Sequence, residues 1–206
     1  MQGVAPIAPN KLDRDDFFAR ARARLNLDAP AGLADPENMP LRGDHDADPV
    51  LKAIAAVRPI KPAAVLIGIV ERDEPMVLLT QRATHLNDHA GQVAFPGGKI
   101  DAEDAGEEAA ALREAHEEVG LLPALAEVIG RLPEYVTGTQ FHITPVAALV
   151  QPDPLQLAPN PGEVARVFEV PLAFLMNPAH HQRHRLEFAG TWREWFSMPY
   201  RDPRDG

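Results

Sequence analysis

The chain has 206 residues, 45% of them hydrophobic, and a formal net charge of −10 from 20 Lys+Arg and 30 Asp+Glu. That length holds one ordinary domain with an extension; the net negative charge argues against broad nucleic-acid binding, and no apolar run reaches the roughly 18 residues that a membrane helix needs. With no cysteine, disulfides and thiolate metal sites are excluded, which fits a cytoplasmic protein.

The start, MQGVAPIAPNKLDRDD, has no basic region followed by an apolar one, so no signal peptide is expected. Residues 1–10 are expected to fray. Leu12 to Leu25 reads as a short helix with Asp13 as its N-cap. Arg20, Arg22 and Arg24 alternate with alanines, and on a helix that spacing spreads them over more than one face. They read as a solvated or packing helix rather than an anion site. Residues 28–50 are rich in Pro, Asp and Gly and read as a loop, and Pro49 to Val57 as another short helix. Residues 1–60 are therefore expected to be an extension, and residues 61–206 the main domain.

The core begins at Ala63. AAVLIGIV reads as a strand, Glu71 to Pro75 as a turn, and MVLLTQR as a second strand. Gln92 to Phe95 reads as a short strand feeding a glycine turn at Gly97-Gly98. A helix is expected from about Glu103 to Val119. AEVIGRLP and FHITPVAALV read as strands, and ARVFEVPLAFLM as a strand followed by a short helix near Pro171. RHRLEF and TWREWFSM form a final hairpin with Ala189-Gly190 at its turn. Strands mixed with helices, neither alternating nor segregated, predict an α/β protein with a mixed sheet between helices.

The helix carries the chemistry. At 100° per residue, Glu114, Glu117 and Glu118 fall on one side, while Glu108, Leu112, Ala115 and Val119 fall on the other. Three carboxylates so close repel one another, and a hard divalent cation such as Mg²⁺ or Mn²⁺ would relieve that cost. A solvated acidic face is the commoner meaning of such a trio. Three neighbouring features favour a site instead. Gly120 stands where a C-cap glycine is expected. Gly97 and Gly98 bring bare backbone near the helix. Arg113 is placed to orient a carboxylate or contact a phosphate.

REAHEEVGL, Arg113 to Leu121, resembles the second half of the Nudix box, G-x5-E-x7-R-E-U-x-E-E-x-G-U, where U is a bulky aliphatic residue. Ala115 stands at the first of these U positions. Asp104 falls at the spacing of the box's first glutamate after Gly98, with eight residues between it and Arg113. LLTQRATHLNDHAGQVAFPGG, Leu78 to Gly98, is similar to the signature of the coenzyme A pyrophosphatase branch, LLT-x-R-(S/A)-x3-R-x3-G-x3-FPGG, with Asn87 where that signature has its second arginine. The likeness covers roughly Ala63 to Tyr200.

The resemblance implies the Nudix fold, an α/β/α sandwich with a mixed β-sheet. It also implies metal-dependent hydrolysis of the diphosphate bond of coenzyme A or acyl-CoA, giving 3′,5′-ADP and 4′-phosphopantetheine or its acyl form. Glu114, Glu117, Glu118 and the carbonyl of Gly97 would hold Mg²⁺ or Mn²⁺, and Arg113 would complete the catalytic group. Asp104 and Gly120 would support it. Arg82, Asn87, Gly91, Phe95, Gly98 and Lys99 would meet the substrate. The general base the resemblance implies is either a box glutamate or a carboxylate from a distant loop; Glu163, in a loop before a strand, is the distant candidate, its plain alternative being a cap residue. His85 and His89 flank the glycine motif and could meet a phosphate. His142 reads as strand packing, and His180, His181 and His184 as surface residues near a loop.

Two other readings stand beside this one. The same helix could serve a Nudix hydrolase of ADP-ribose, dinucleotides or NTPs. A non-catalytic Nudix-fold binding module would be expected to lose the three glutamates, which are present. The expected partner is a small nucleotide, not a nucleic acid or a membrane, and the chain is expected to be a monomer or a homodimer.

Overall fold

The structure is a computed structural model that describes residues 13–25, 43, 61–86, 89–153, 155–188 and 191–203. The expectations for residues 1–10, most of 28–50, 49–57, Asn87 and the turn at 189–190 lie outside the described residues. In chain order the first elements are α1 (Arg14–Arg24), β1 (Lys61–Val70), β2 (Met76–Arg82), β3 (Val93–Ala94), β4 (Gly97–Lys99) and α2 (Glu107–Val119). Then come β5 (Ala126–Arg131), β6 (Tyr135–Val136), β7 (Phe141–Val150), β8 (Val164–Pro171), α3 (Leu172–Met176), β9 (Gln182–Phe188) and β10 (Thr191–Ser197).

β1 and β7 form the axis of the sheet. Both are largely apolar, as suits strands covered on both faces, and they pair in parallel from Lys61↔Phe141 to Val70↔Val150. β2 turns back from β1 and pairs with it only at Ile69↔Val77 and Val70↔Met76. Beyond that the two strands part, and residues 93–99 enter the opening. β3 pairs with β2 at Thr80↔Ala94, and β4 pairs with β1 at Val65↔Gly97. β8 lies antiparallel to β2, while β5 and β6 lie antiparallel to β7. The result is a mixed eight-stranded sheet, and β9–β10 form a separate hairpin.

Alternation of side chains gives each face of the sheet its own partner. Leu66, Val70, Leu78, Val146, Ala148 and Val150 pack against Ala110, Ala111, Ala115 and Val119 of α2. Ile69, Ala147 and Leu149 point the other way, where Phe18 of α1 joins them with Ile129. One helix on each face makes the α/β/α sandwich. α1 starts as its sequence predicts, with the Asp13 carboxylate accepting the N–H of Asp16. Its Arg22 bonds Glu127 and Glu71, which ties it to the start of β5 and the turn after β1. α1, counted with the extension from the sequence, is thus one layer of the sandwich.

Two local expectations change. α2 begins at Glu107 rather than near Glu103, because residues 101–106 form a turn. Asp101 N–H donates to the Asp104 carboxylate, Asp104 N–H donates to the Asp101 carbonyl, and Gly106 takes φ 138° at the helix start. Gly97-Gly98 is strand rather than turn. Among the described residues no helix is long and apolar enough to cross a membrane.

Candidate active site

The site is built where α2 passes beneath the inserted strand. Glu118 continues the line of Ala111 and Ala115 along the helix, at i, i+4 and i+7, so it shares their buried side. It is only 4% exposed. This corrects the expectation that all three glutamates share an outward face. Glu114 is half-buried and Glu117 exposed, with side-chain exposures of 16% and 56%.

The hydrogen-bond pattern of β4 explains what Glu118 meets. Leu66 N–H donates to the Pro96 carbonyl, and Ile100 N–H to the Pro62 carbonyl. Bonded and non-bonded pairs alternate in an antiparallel ladder. Gly97 and Lys99 are therefore the non-bonded residues, with backbone groups turned away from β1. The Gly97 N–H donates to Glu118 Oε2 at 3.1 Å, and the Lys99 carbonyl accepts from Arg113 Nη2 at 3.0 Å. The Gly97 carbonyl shares the outward direction of its N–H.

Both glycines are required by closeness. A Cβ on Gly97 would lie 2.4 Å from the Ala64 carbonyl oxygen, and one on Gly98 would lie 2.5 Å from the Glu114 carboxyl. Gly98 thus leaves the space that the Glu114 carboxylate fills.

Arg113 is the hub. It donates to both oxygens of Asp104, to Glu114 Oε1 and to Glu117 Oε2. The Arg113 guanidinium and the Asp101 N–H hold the Asp104 carboxyl below the usual range. Burial raises the Glu114 pKa, and Arg113 opposes the rise. Glu118 is pushed up to about 7, chiefly by burial; the Gly97 N–H opposes this, and the negative charges of Glu114 and Glu163 add to it.

Glu163 is brought in from a distant part of the chain. The last carbonyls of α2 have no partner within the helix. Those of Glu118 and Val119 accept the N–H groups of Asn160 and Ala158, and the Glu163 carbonyl accepts the N–H of Ala83 at the end of β2. The 158–163 loop is thereby fixed to both elements, and the exposed Glu163 carboxylate acts electrostatically on Glu114 and Glu118. Asn160-Pro161-Gly162 is a turn signal in the sequence, but its docking on the end of α2 depends on the tertiary fold. Asp101, which helps to set Asp104, also escaped the sequence reading.

Arg82 ends β2 with Nη1 3.9 Å from Glu118 Oε1, beyond hydrogen-bond range, and its Nε is buried without a partner among the described residues. Gly91 takes φ 72° and donates its N–H to the Arg82 carbonyl, closing the loop after β2. Phe95 points elsewhere, lining a cavity on the α1 face. The Lys99 residue is exposed, and Gly120 caps α2 in the left-handed conformation as its sequence predicts.

The histidines singled out in the sequence do not gather here. His85 is exposed, and His89 bonds Gln92. His142 meets Glu134, His180 stacks on Phe174, His181 bonds the Leu175 carbonyl, and His184 bonds Ser197.

The donors around Gly97 are all oxygen, and a buried carboxylate crowded by like charge favours a hard divalent cation, so the residues fit Mg²⁺ or Mn²⁺. In this side-chain arrangement Arg113 draws Glu114 and Glu117 to itself, and among the described residues no three His, Cys, Asp or Glu side chains converge as a metal site.

A carboxylate-bearing helix under an inserted glycine strand, within an α/β/α sandwich, places the protein in the Nudix class. The NUDIX domain model matches residues 59–197, and the chain belongs to the Nudix family. It is 44% identical over 140 residues to the uncharacterized Nudix hydrolase NudL of Enterobacter sp. (strain 638), covering 66% of this chain and 72% of that protein. It is 46% identical over 142 residues to the protein of the same name from Escherichia coli (strain K12), covering 67% and 73%. A crystal structure of a C. elegans Ap4A hydrolase binary complex aligns with 20% identity and a TM-score of 0.47, over 57% of this chain and 84% of that one.

Proposed function

We propose that the protein is a divalent-cation-dependent pyrophosphohydrolase that cleaves coenzyme A or acyl-CoA to 3′,5′-ADP and 4′-phosphopantetheine or its acyl form. The observation that carries the hydrolytic reading is the Glu118 carboxylate, buried, raised to about 7 and set against the Gly97 N–H, with Glu114 and Glu163 close enough to perturb it. A site that gathers negative charge out of water suits cation binding rather than packing. The choice of coenzyme A rests on the motif Leu78 to Gly98.

In this reading Glu114, Glu117, Glu118 and the Gly97 carbonyl hold Mg²⁺ or Mn²⁺. When bound, the cation would supply charge neutralisation at the diphosphate and would acidify the attacking water. Arg113, itself fixed by Asp104 and the Lys99 carbonyl, positions Glu114 and Glu117. Glu163 takes the proton of the attacking water at its carboxylate. Arg82 and Lys99 face the anionic substrate, Arg82 reading the 3′-phosphate, and Gly91 and Gly98 let the backbone approach it.

Asn87 favours a second reading. It offers amide hydrogen bonds where the coenzyme A motif has a charge, which suits another nucleoside diphosphate derivative such as ADP-ribose or a dinucleotide. Product analysis after incubation with Mg²⁺ or Mn²⁺ decides between them, using coenzyme A, 3′-dephospho-coenzyme A, ADP-ribose, NADH, diadenosine polyphosphates and NTPs. Release of 3′,5′-ADP from coenzyme A, with lower kcat/KM for the dephospho compound, is the expected result. Turnover of another compound alone would remove the coenzyme A assignment. No turnover by the folded, metal-supplied protein would remove the hydrolytic one.

A further inference from the structure

The turn that carries Glu163 reads Asn160-Pro161-Gly162-Glu163. Proline presets φ at the second position of a β-turn, and asparagine at the first can accept a hydrogen bond from the backbone two residues on. The structure uses both features. The Asn160 carbonyl accepts the N–H groups of Glu163 at 3.0 Å and Val164 at 2.8 Å. Its side-chain Oδ1 accepts the Gly162 N–H at 3.0 Å. Its own N–H donates to the Glu118 carbonyl at 2.8 Å. Asn160 is thus the point where the end of α2 meets the turn. Gly120 leaves room for that meeting, since a Cβ there would lie 3.1 Å from the Ala158 nitrogen.

On the other side of Glu163, Val164 is buried and pairs with Arg82, and the Glu163 carbonyl accepts from Ala83. The backbone of Glu163 is therefore held from both directions. Its carboxylate has no hydrogen bond or ion pair among the described residues, so its direction is set by the turn and not by a partner at its tip. Within residues 160–163 the Asn160 amide supplies the one side-chain hydrogen bond among the described residues.

We infer that Asn160 is a positioning residue for the reaction: its Oδ1 fixes the turn that aims the Glu163 carboxylate toward Glu114 and Glu118. This rests on the reading of Glu163 as the group that takes the proton of the attacking water, and it adds the residue that keeps that group in place. The chemistry of the amide fits the role. Glu114, Glu118 and Glu163 already crowd negative charge, and an amide oxygen accepts the Gly162 N–H without adding more. Asn160 is exposed, so trimming its side chain leaves no core cavity. Its backbone bonds to Glu118, Glu163 and Val164 survive any side-chain change except proline. What is lost is the local aim of the turn, and a reacting group displaced by about 1 Å can lose about a hundredfold in rate.

The test is a double-mutant cycle of Asn160→Ala and Glu163→Gln in the full chain, at saturating Mg²⁺ and with the substrate found by product analysis. Asn160→Ala alone should lower kcat by about tenfold or more, with KM and melting temperature close to wild type. In the Glu163→Gln background the same substitution should leave the residual kcat unchanged, because the group it positions is already gone. Asn160→Ser keeps a weaker acceptor and should lose only about threefold. It takes the place of the alanine variant in the cycle if the melt shows that variant unfolded.

An equal loss of kcat in both backgrounds overturns the inference, because Asn160 would then support the site by a route that bypasses Glu163. Wild-type kcat in Asn160→Ala overturns it as well. Wild-type kcat in Glu163→Gln alone is the separate signature of a wrong base assignment, and the positioning role then falls with it.

Discussion

Arg113 grips Asp104 with two parallel hydrogen bonds, each 2.9 Å, from Nε and Nη2 to the two carboxylate oxygens. This planar fork leaves Nη1 to reach Glu114 and Glu117 at 3.1 Å. A lysine cannot hold that geometry, because its ammonium is a single point on a flexible stem. Arg113→Lys should therefore cost about 1–3 kcal/mol of stability, the range for charged hydrogen bonds lost in a partly buried setting. It should also lower kcat on the substrate found by product analysis, since Glu114 and Glu117 lose their anchor. Urea unfolding and steady-state kinetics measure the two effects. Wild-type values for both would show that Arg113 is only a surface ion-pair residue.

Gly97 and Gly98 are neighbours with different tolerances. A Cβ at Gly97 would strike the backbone, 2.4 Å from the Ala64 oxygen and 2.6 Å from Val65 Cα, and Gly97 has φ 157°. Strand β4 would have to shift away from β1, so Gly97→Ala should lose more than about 2 kcal/mol. A Cβ at Gly98 would meet only the far end of the Glu114 side chain. That end can swing away, so Gly98→Ala should fold nearly normally yet lose turnover because Glu114 is displaced. Thermal melts paired with activity assays separate the two outcomes. An active Gly98→Ala enzyme would show that the Glu114 carboxylate need not lie where the structure places it.

Glu118 gives the protein a pH dependence whose sign is opposite to that of a salt-bridged carboxylate. Its folded pKa of about 7 lies above the ordinary 4.5. The contribution of its protonated form is fully present below the unfolded pKa and is lost as pH rises through about 7. The size is a few kcal/mol at most. Asp104 runs the other way. Its depressed pKa means that its contribution is present above the unfolded carboxylate pKa and is lost as pH falls through the folded one. In EDTA, Glu118→Gln should match the wild-type melting temperature near pH 5 and exceed it by pH 8, and adding Mn²⁺ should narrow the gap. Parallel melting curves across that range would contradict the burial of an ionisable Glu118.

Much of this was legible from local signals. β7, Phe141–Val150, ends in the apolar run Val146 to Val150, and α1 announces itself through Asp13 at its cap. The Gly120 cap and the acidic residues of α2 were equally readable, because each depends on a few neighbouring positions. The burial of Glu118 was not. A helical wheel places it beside Glu114, but the breadth of the buried face is set by how closely the small side chains of Ala111 and Ala115 let the sheet approach. Glu108, on the side away from the other three, pairs with Arg131 of β5, a partner that only the tertiary fold supplies. The insertion of residues 93–99 between β1 and β2 depends on pairings with two separate strands. No local pattern encodes that.

Glu163 tests the non-local part of the site. Its loop is held at Ala158, Asn160 and Ala83 by backbone hydrogen bonds, none of which uses its side chain. The carboxylate itself is exposed, so it is not needed for folding, and Glu163→Gln should leave the melting temperature within a degree or two of wild type. If the carboxylate accepts the proton of the attacking water, kcat should fall by roughly 10²- to 10⁴-fold. Thermal melts and steady-state rates at saturating Mg²⁺ measure the two effects. A variant that keeps its rate would make Glu163 a turn residue and shift the base to one of the helix glutamates.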